Sequence, residues 1–114
     1  MESARNDTSF WTDLSKLSGT TLHTLGRRRA FDIVSFDEKG AVIRPHESMI
    51  DRSIAKKSFD GPFAAICTQG SLDLKGIRTF CEMNPVYVAA MIAQLPYVDF
   101  SSRPKIVLRY LGYS

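Results

Sequence analysis

Three adjacent guanidiniums, Arg27, Arg28 and Arg29, follow directly on Gly26. Guanidinium forks bind phosphate oxygens in pairs, and a turn fans neighbouring side chains in different directions, so this segment has the chemistry of a phosphate cradle. The same charges would also keep a sheet edge or turn soluble. Material for acid/base or metal chemistry is confined to His23 and His46 with Asp32, Asp37 and Asp51. Nothing in their spacing joins a nucleophile, a base and an orienting acid. Cys67 and Cys81 form neither a close CxxC pair nor a Cys/His ligand array and read as two reduced core thiols. P-loop, GxGxxG, HExxH and GxSxG patterns do not occur in the sequence. The expectation is a protein that is not an enzyme, with no catalytic residue, no metal and no cofactor.

The chain of 114 residues is 44% hydrophobic and carries seven Phe, four Tyr and one Trp, enough to bury one core. Fifteen Lys and Arg against twelve Asp and Glu leave a formal charge of +3. That balance permits a polyanionic partner without the excess of a basic nucleic-acid tail, so any electrostatic reading rests on where the charges cluster. No apolar stretch approaches the ~20 residues that span a bilayer. The polar first nine residues hold no hydrophobic signal region, from which cytoplasmic residence and no membrane partner are expected.

The elements that must position the arginines read as a helix and a small β-meander. Residues 1–8 are expected to be a flexible leader and residues 9–114 a single compact domain, with a helix plus meander over 9–52 and a helical half over 53–114. Ser9 is placed to cap a helix whose Phe10, Leu14 and Leu17 share one face. Residues 20–25, 30–36 and 41–44 alternate as strands around two turns, and 49–52 would add a short fourth strand before a helix capped by Ser53. Phe31 with Ile33 and Val34 with Phe36 fall on opposite faces of this sheet, which predicts cover on both sides. Strand neighbours would bring Arg44, His46 and Arg52 toward the arginine turn, with Glu47 and Asp51 interleaved to neutralise them.

In the second half, a helix from Ile54 to Cys67 should break or kink at Gly61-Pro62, because proline lacks an amide donor. Asp73 can cap the next helix, and Asn84-Pro85 starts an apolar one that runs to Leu95 and should be the central buried helix. Lys56, Lys57, Lys75 and Arg78 fall on the polar faces of neighbouring helices, as a solvated face or as a phosphate-contact rim. Residues 97–100 and 105–110 then read as a hairpin around a polar turn.

This order of helix, short helix, helix and hairpin, with its short connection through Glu82, Met83 and Asn84, resembles a winged helix-turn-helix over residues 54–110. The resemblance implies that the helix after the turn enters a major groove and that basic or amide side chains near its start reach phosphates and base edges. Carried onto this chain, it implies contacts from Asn84, Tyr87 and Gln94 and, on the wing, from Arg103 and Lys105. Residues 85–95 contain no Lys or Arg. That departure shifts the reading away from the major groove, because neutralising phosphates supplies much of such affinity.

The resulting expectation is an α+β, non-catalytic nucleic-acid-binding module. It would contact the phosphate backbone of duplex DNA through Arg27, Arg28, Arg29, Asn84, Tyr87, Arg103 and Lys105. The alternative is a protein-interaction or assembly module that uses residues 105–113 as an exposed edge strand, with a protein partner or self-association.

Overall fold

The computed structural model describes residues 7–81 and 83–111, an α+β arrangement of four helices and seven strands. Helix α1 (Asp7–Ser15) precedes a four-stranded antiparallel meander, β1 (Thr21–His23), β2 (Ala30–Phe36), β3 (Gly40–Pro45) and β4 (Arg52–Ala55), in the spatial order β1-β2-β3-β4. Helix α2 (Lys57–Gln69), the short strand β5 (Ser71–Asp73), helix α3 (Leu74–Phe80) and helix α4 (Pro85–Ile92) follow. Strands β6 (Val98–Ser101) and β7 (Val107–Tyr110) complete a second sheet of order β5-β7-β6.

One buried cluster runs from Phe10 to Leu108 and draws on both halves of the chain. Phe10 of α1 stacks on Phe63 of α2 with ring centroids 4.1 Å apart. Trp11 sets its ring edge-on to Phe36 and Phe59 and donates its indole N–H to the Asp37 carbonyl at 2.9 Å, tying α1 to the end of β2. The apolar run after Asn84-Pro85 does form the most enclosed helix: Pro85 and Val88 through Ile92 of α4 are all buried. It ends at Ile92, before Leu95, and the chain turns through Pro96 into β6.

Among the described residues the meander packs on the core through one face only, contrary to the expectation from alternation. Ile33 pairs with Ile43 and Ser35 with Val42, so Val34 is an extra residue, a β-bulge. Because side chains alternate with a period of two, this insertion returns Phe36 to the same face as Phe31 and Ile33, opposite buried Ala41. Val34 is left 40% exposed, and the outer face carries Thr21, Asp32, Arg44 and Ser53.

The fourth strand lies at Arg52–Ala55 rather than at 49–52, so Ser53 and Ile54 extend a sheet instead of opening a helix. Ile54 decides this register, since it is buried opposite Ala41. Helix α2 runs unbroken through Gly61 and Pro62. Pro62 is buried there, and a side chain at Gly61 would meet the Phe80 ring at 2.5 Å, so close packing of α3 on α2 overrides the breaking tendency of the dipeptide. Helix α1 begins at Asp7, which places Ser9 inside it rather than at its cap. The rest of the expected leader, residues 1–6, lies outside the described residues.

Strand β5 has no counterpart in the sequence pattern, and it changes the meaning of the C-terminus. It pairs with β7, which therefore sits in the middle of its sheet with β5 and β6 as the edges. Residues 107–110 are not an edge strand, so strand addition there is blocked. Tyr113 lies outside the described residues.

Candidate functional site

The arginines occupy the loop between β1 and β2, and Thr24 builds that loop. Its N–H donates to the Arg29 carbonyl at 3.0 Å, its carbonyl accepts from the Arg28 N–H at 3.1 Å, and its hydroxyl oxygen accepts from the Arg29 N–H at 3.0 Å. Thr24 is only 4% exposed, so three hydrogen bonds converge on one buried residue and fix the shape of the turn. Arg28 takes a left-handed conformation with φ 59°, which turns the chain back toward β2. Arg27, Arg28 and Arg29 are all exposed, as the sequence predicts for a turn at the sheet rim.

Across from this turn lies the start of α4. Arg27, Arg29 and Glu47 on one side and Leu74, Arg78, Val86, Tyr87 and Ile106 on the other enclose a groove of about 550 Å³. A neighbouring cavity of about 290 Å³ is lined by Arg29, Pro45, His46, Glu47 and Tyr87. Among the described residues, the larger groove is lined by three guanidiniums against one carboxylate. Arg29 pairs with that carboxylate, Glu47, while no ion pair among the described residues takes up Arg27 or Arg78. Tyr87 is half-buried, with Phe31 edge-on to its ring at 5.0 Å and the Arg52 guanidinium 5.6 Å from its centroid. Among the described residues no group bonds its hydroxyl.

The structure brings Arg27, Arg29 and Tyr87 of the predicted site together and distributes the rest. Arg28 takes no part in lining the groove. Asn84 stands at the cap position of α4, but its side chain makes no capping bond and instead accepts from Arg52 Nη1 at 3.3 Å. Gln94 lies beyond the end of α4, with its amide 3.4 Å from the Ala90 carbonyl. On the hairpin loop Arg103 is exposed, whereas Lys105 Nζ is held 3.1 Å from Asp73 Oδ2. Asp73 also caps α3 by accepting from the Gly76 N–H at 2.8 Å; that bond and then Lys105 hold its carboxyl below the usual range.

Sequence reasoning groups Arg78 with Lys56, Lys57 and Lys75, as a solvated face or a phosphate-contact rim; of these four, Arg78 lines the groove. Its helix, α3, is turned by the packing of Ile77 into the core and of Phe80 on Gly61, and this brings Arg78 to the groove. Thr24 is equally hard to single out; a Thr two residues before the Gly26 turn is its only local signal. Of the interleaved acids, Asp51 neutralises Arg44 as expected, accepting from its Nε at 2.6 Å, whereas Glu47 pairs with Arg29 of the turn rather than with Arg44, His46 or Arg52. The Arg44 guanidinium lowers the Asp51 carboxyl, and Asp51 in turn raises Arg44.

Of the acid/base candidates, His46 Nε2 lies 2.8 Å from Asp32 Oδ1, and the Thr21 hydroxyl donates to the same oxygen at 2.5 Å. These two bonds, Thr21's first, hold Asp32 below the ordinary carboxylate range. Asp37 instead accepts from the Lys39 and Gly40 amides and shapes the β2–β3 turn. Among the described residues no group of three or more His, Cys, Asp or Glu is placed to hold a metal ion. Cys67 is half-buried and Cys81 buried, both as free thiols, with burial pushing Cys67 upward. No helix among the described residues is long and apolar enough to cross a membrane.

Compared with known proteins, the chain matches no family model, no curated protein and no solved structure.

Proposed function

We propose that this chain is a non-catalytic nucleic-acid-binding module that holds a phosphate backbone at the arginine turn. The observation that carries this reading is the convergence of Arg27 and Arg29 with Arg78, from a helix about fifty residues further along, on one groove beside Tyr87. Guanidiniums gathered in a concave site suit phosphate oxygens, and a half-buried aromatic beside them suits a sugar or base.

The order helix, short strand, helix, helix and hairpin from α2 to β7 supports reading this part as winged-helix-like. In that family the helix after the turn would enter the major groove. Here Val88 through Ile92 are buried and only Val86 and Tyr87 are half-open, so α4 offers no free face to a base-pair edge. The reading therefore assigns contact to the turn, to Arg78 and to Arg103 on the wing, and implies binding with little base preference.

Replacing Arg27, Arg28 and Arg29 together with Ala tests it. Fluorescence anisotropy of labelled duplex and single-stranded DNA across a salt series should show weaker binding for the variant. The slope of log affinity against log salt should flatten by about 0.9 for each duplex phosphate that is no longer neutralised. Melting should change little, because exposed turn charges contribute about 0.5 kcal/mol or less. No binding by the native protein at low salt, or equal affinity and slope for the two proteins, would refute the reading.

A further inference from the structure

The two cavities beside the turn adjoin, with Arg29, Glu47 and Tyr87 lining both, so the Arg29–Glu47 ion pair stands where they meet. With volumes of about 290 and 550 Å³, they have the dimensions of a small-ligand site rather than of a flat backbone-contact surface. Cations stand at one end, Arg27 and Arg78. Tyr87 lines both cavities, and its hydroxyl is unbonded among the described residues. A duplex keeps its bases stacked inside and offers only phosphates and groove edges at a convex surface. An unpaired nucleotide can place its phosphate on the guanidiniums and its base against the aromatic ring at once.

Among the described residues Glu47 is the one carboxylate lining this space, and it sits on Arg29 where a phosphate oxygen would sit. The Arg29 and Glu47 side chains are 46% and 71% exposed, so their pair is weakly held and easily exchanged. Resting on the backbone-binding reading, we infer that the two adjoining cavities form a site for an unpaired nucleotide of a nucleic-acid strand. Glu47 is its built-in competitor, displaced from Arg29 by the incoming phosphate.

The test compares Glu47→Gln with Glu38→Gln, which removes the same charge from an exposed position in the β2–β3 turn. Each is titrated by anisotropy at low salt against a labelled oligothymidine strand and a labelled blunt duplex. Glu47→Gln should bind the single strand about five-fold more tightly than the native protein. Its gain on the duplex, and any gain from Glu38→Gln on either probe, should stay below about two-fold. Tyr87→Leu, checked for native melting, should lose about five-fold or more on the single strand alone, the size of one base–aromatic stack. A Glu47→Gln protein no tighter than Glu38→Gln, or one that gains equally on both probes, overturns the inference while leaving backbone binding intact. Absence of binding to either probe by both the native protein and Glu47→Gln overturns backbone binding itself.

Discussion

The arginine turn and helix α4 face each other across one groove, yet one is exposed charge and the other is nearly all enclosed carbon. Both lie where a polyanion could approach. They differ in what the rest of the chain does to them. The meander lays its Phe31 face against Tyr87, and α2 and α3 close over the remainder of α4, so this helix is spent on the core. The turn projects from the far end of β1 and β2, where Thr24 satisfies its backbone internally and leaves its guanidiniums exposed, Arg29 alone of the three being paired, with Glu47, among the described residues. Chemistry available for a partner is therefore set by which elements the core consumes, and a helix in a recognition position can be consumed entirely.

Mutations separate the two regions by the size of their effects. Val88→Asp should abolish folding, since an unpaired carboxylate in this core costs several kcal/mol, comparable with the whole stability of a small domain. A soluble Val88→Asp protein that melts cooperatively would break the contrast, because α4 would then not be a core element. Thr24→Val keeps the shape of the side chain but removes the acceptor for the Arg29 N–H. About 1 kcal/mol should be lost, seen as a fall in Tm of about 4 °C. Unchanged melting would mean that the turn is not held by Thr24.

Acid should produce a smaller and more gradual effect. Asp32, Asp51, Asp73 and Asp99 are all held below the ordinary carboxylate range, chiefly by Thr21, Arg44, the Gly76 N–H and Arg109 respectively. A carboxyl lowered in the folded state stabilises above its unfolded value, and that contribution is lost as pH falls through the folded one. Stability should thus decline as pH drops below about 4. None of these carboxylates pairs with the arginine turn, so the triple Arg→Ala variant should show the same decline. A difference between the two acid profiles, followed by thermal melts, would reveal an electrostatic link between the turn and the fold.

Local signals make the strands β2 and β3, the Asp73 cap, the Asn84-Pro85 start and the exposure of the turn legible in the sequence. Each depends on a few neighbouring residues. The bulge at Val34 is not legible, because it is a relation between β2 and β3 rather than a property of either. Strand β5 is hidden for the same reason: Ser71, Leu72 and Asp73 extend only because β7 lies beside them. In the site, Arg27 and Arg29 can be named from residue type and position, and Tyr87 only from the winged-helix resemblance. Arg78 can be named only as one of four helix cations, since its place at the groove follows from how Ile77 and Phe80 seat α3 against its neighbours.

Amide shift mapping by two-dimensional NMR distinguishes the arginine turn from the rest of the surface as the place where nucleic acid docks. The native protein, titrated with an oligonucleotide at low salt, should show perturbations concentrated at residues 26–29, at Arg78 and at Val86 and Tyr87. The amides of residues 89–92, buried in the middle and end of α4, should move little. Shifts confined to the outer sheet face around Asp32 and Arg44, or to the edge strands β4 and β6, with residues 26–29 silent, would contradict the account.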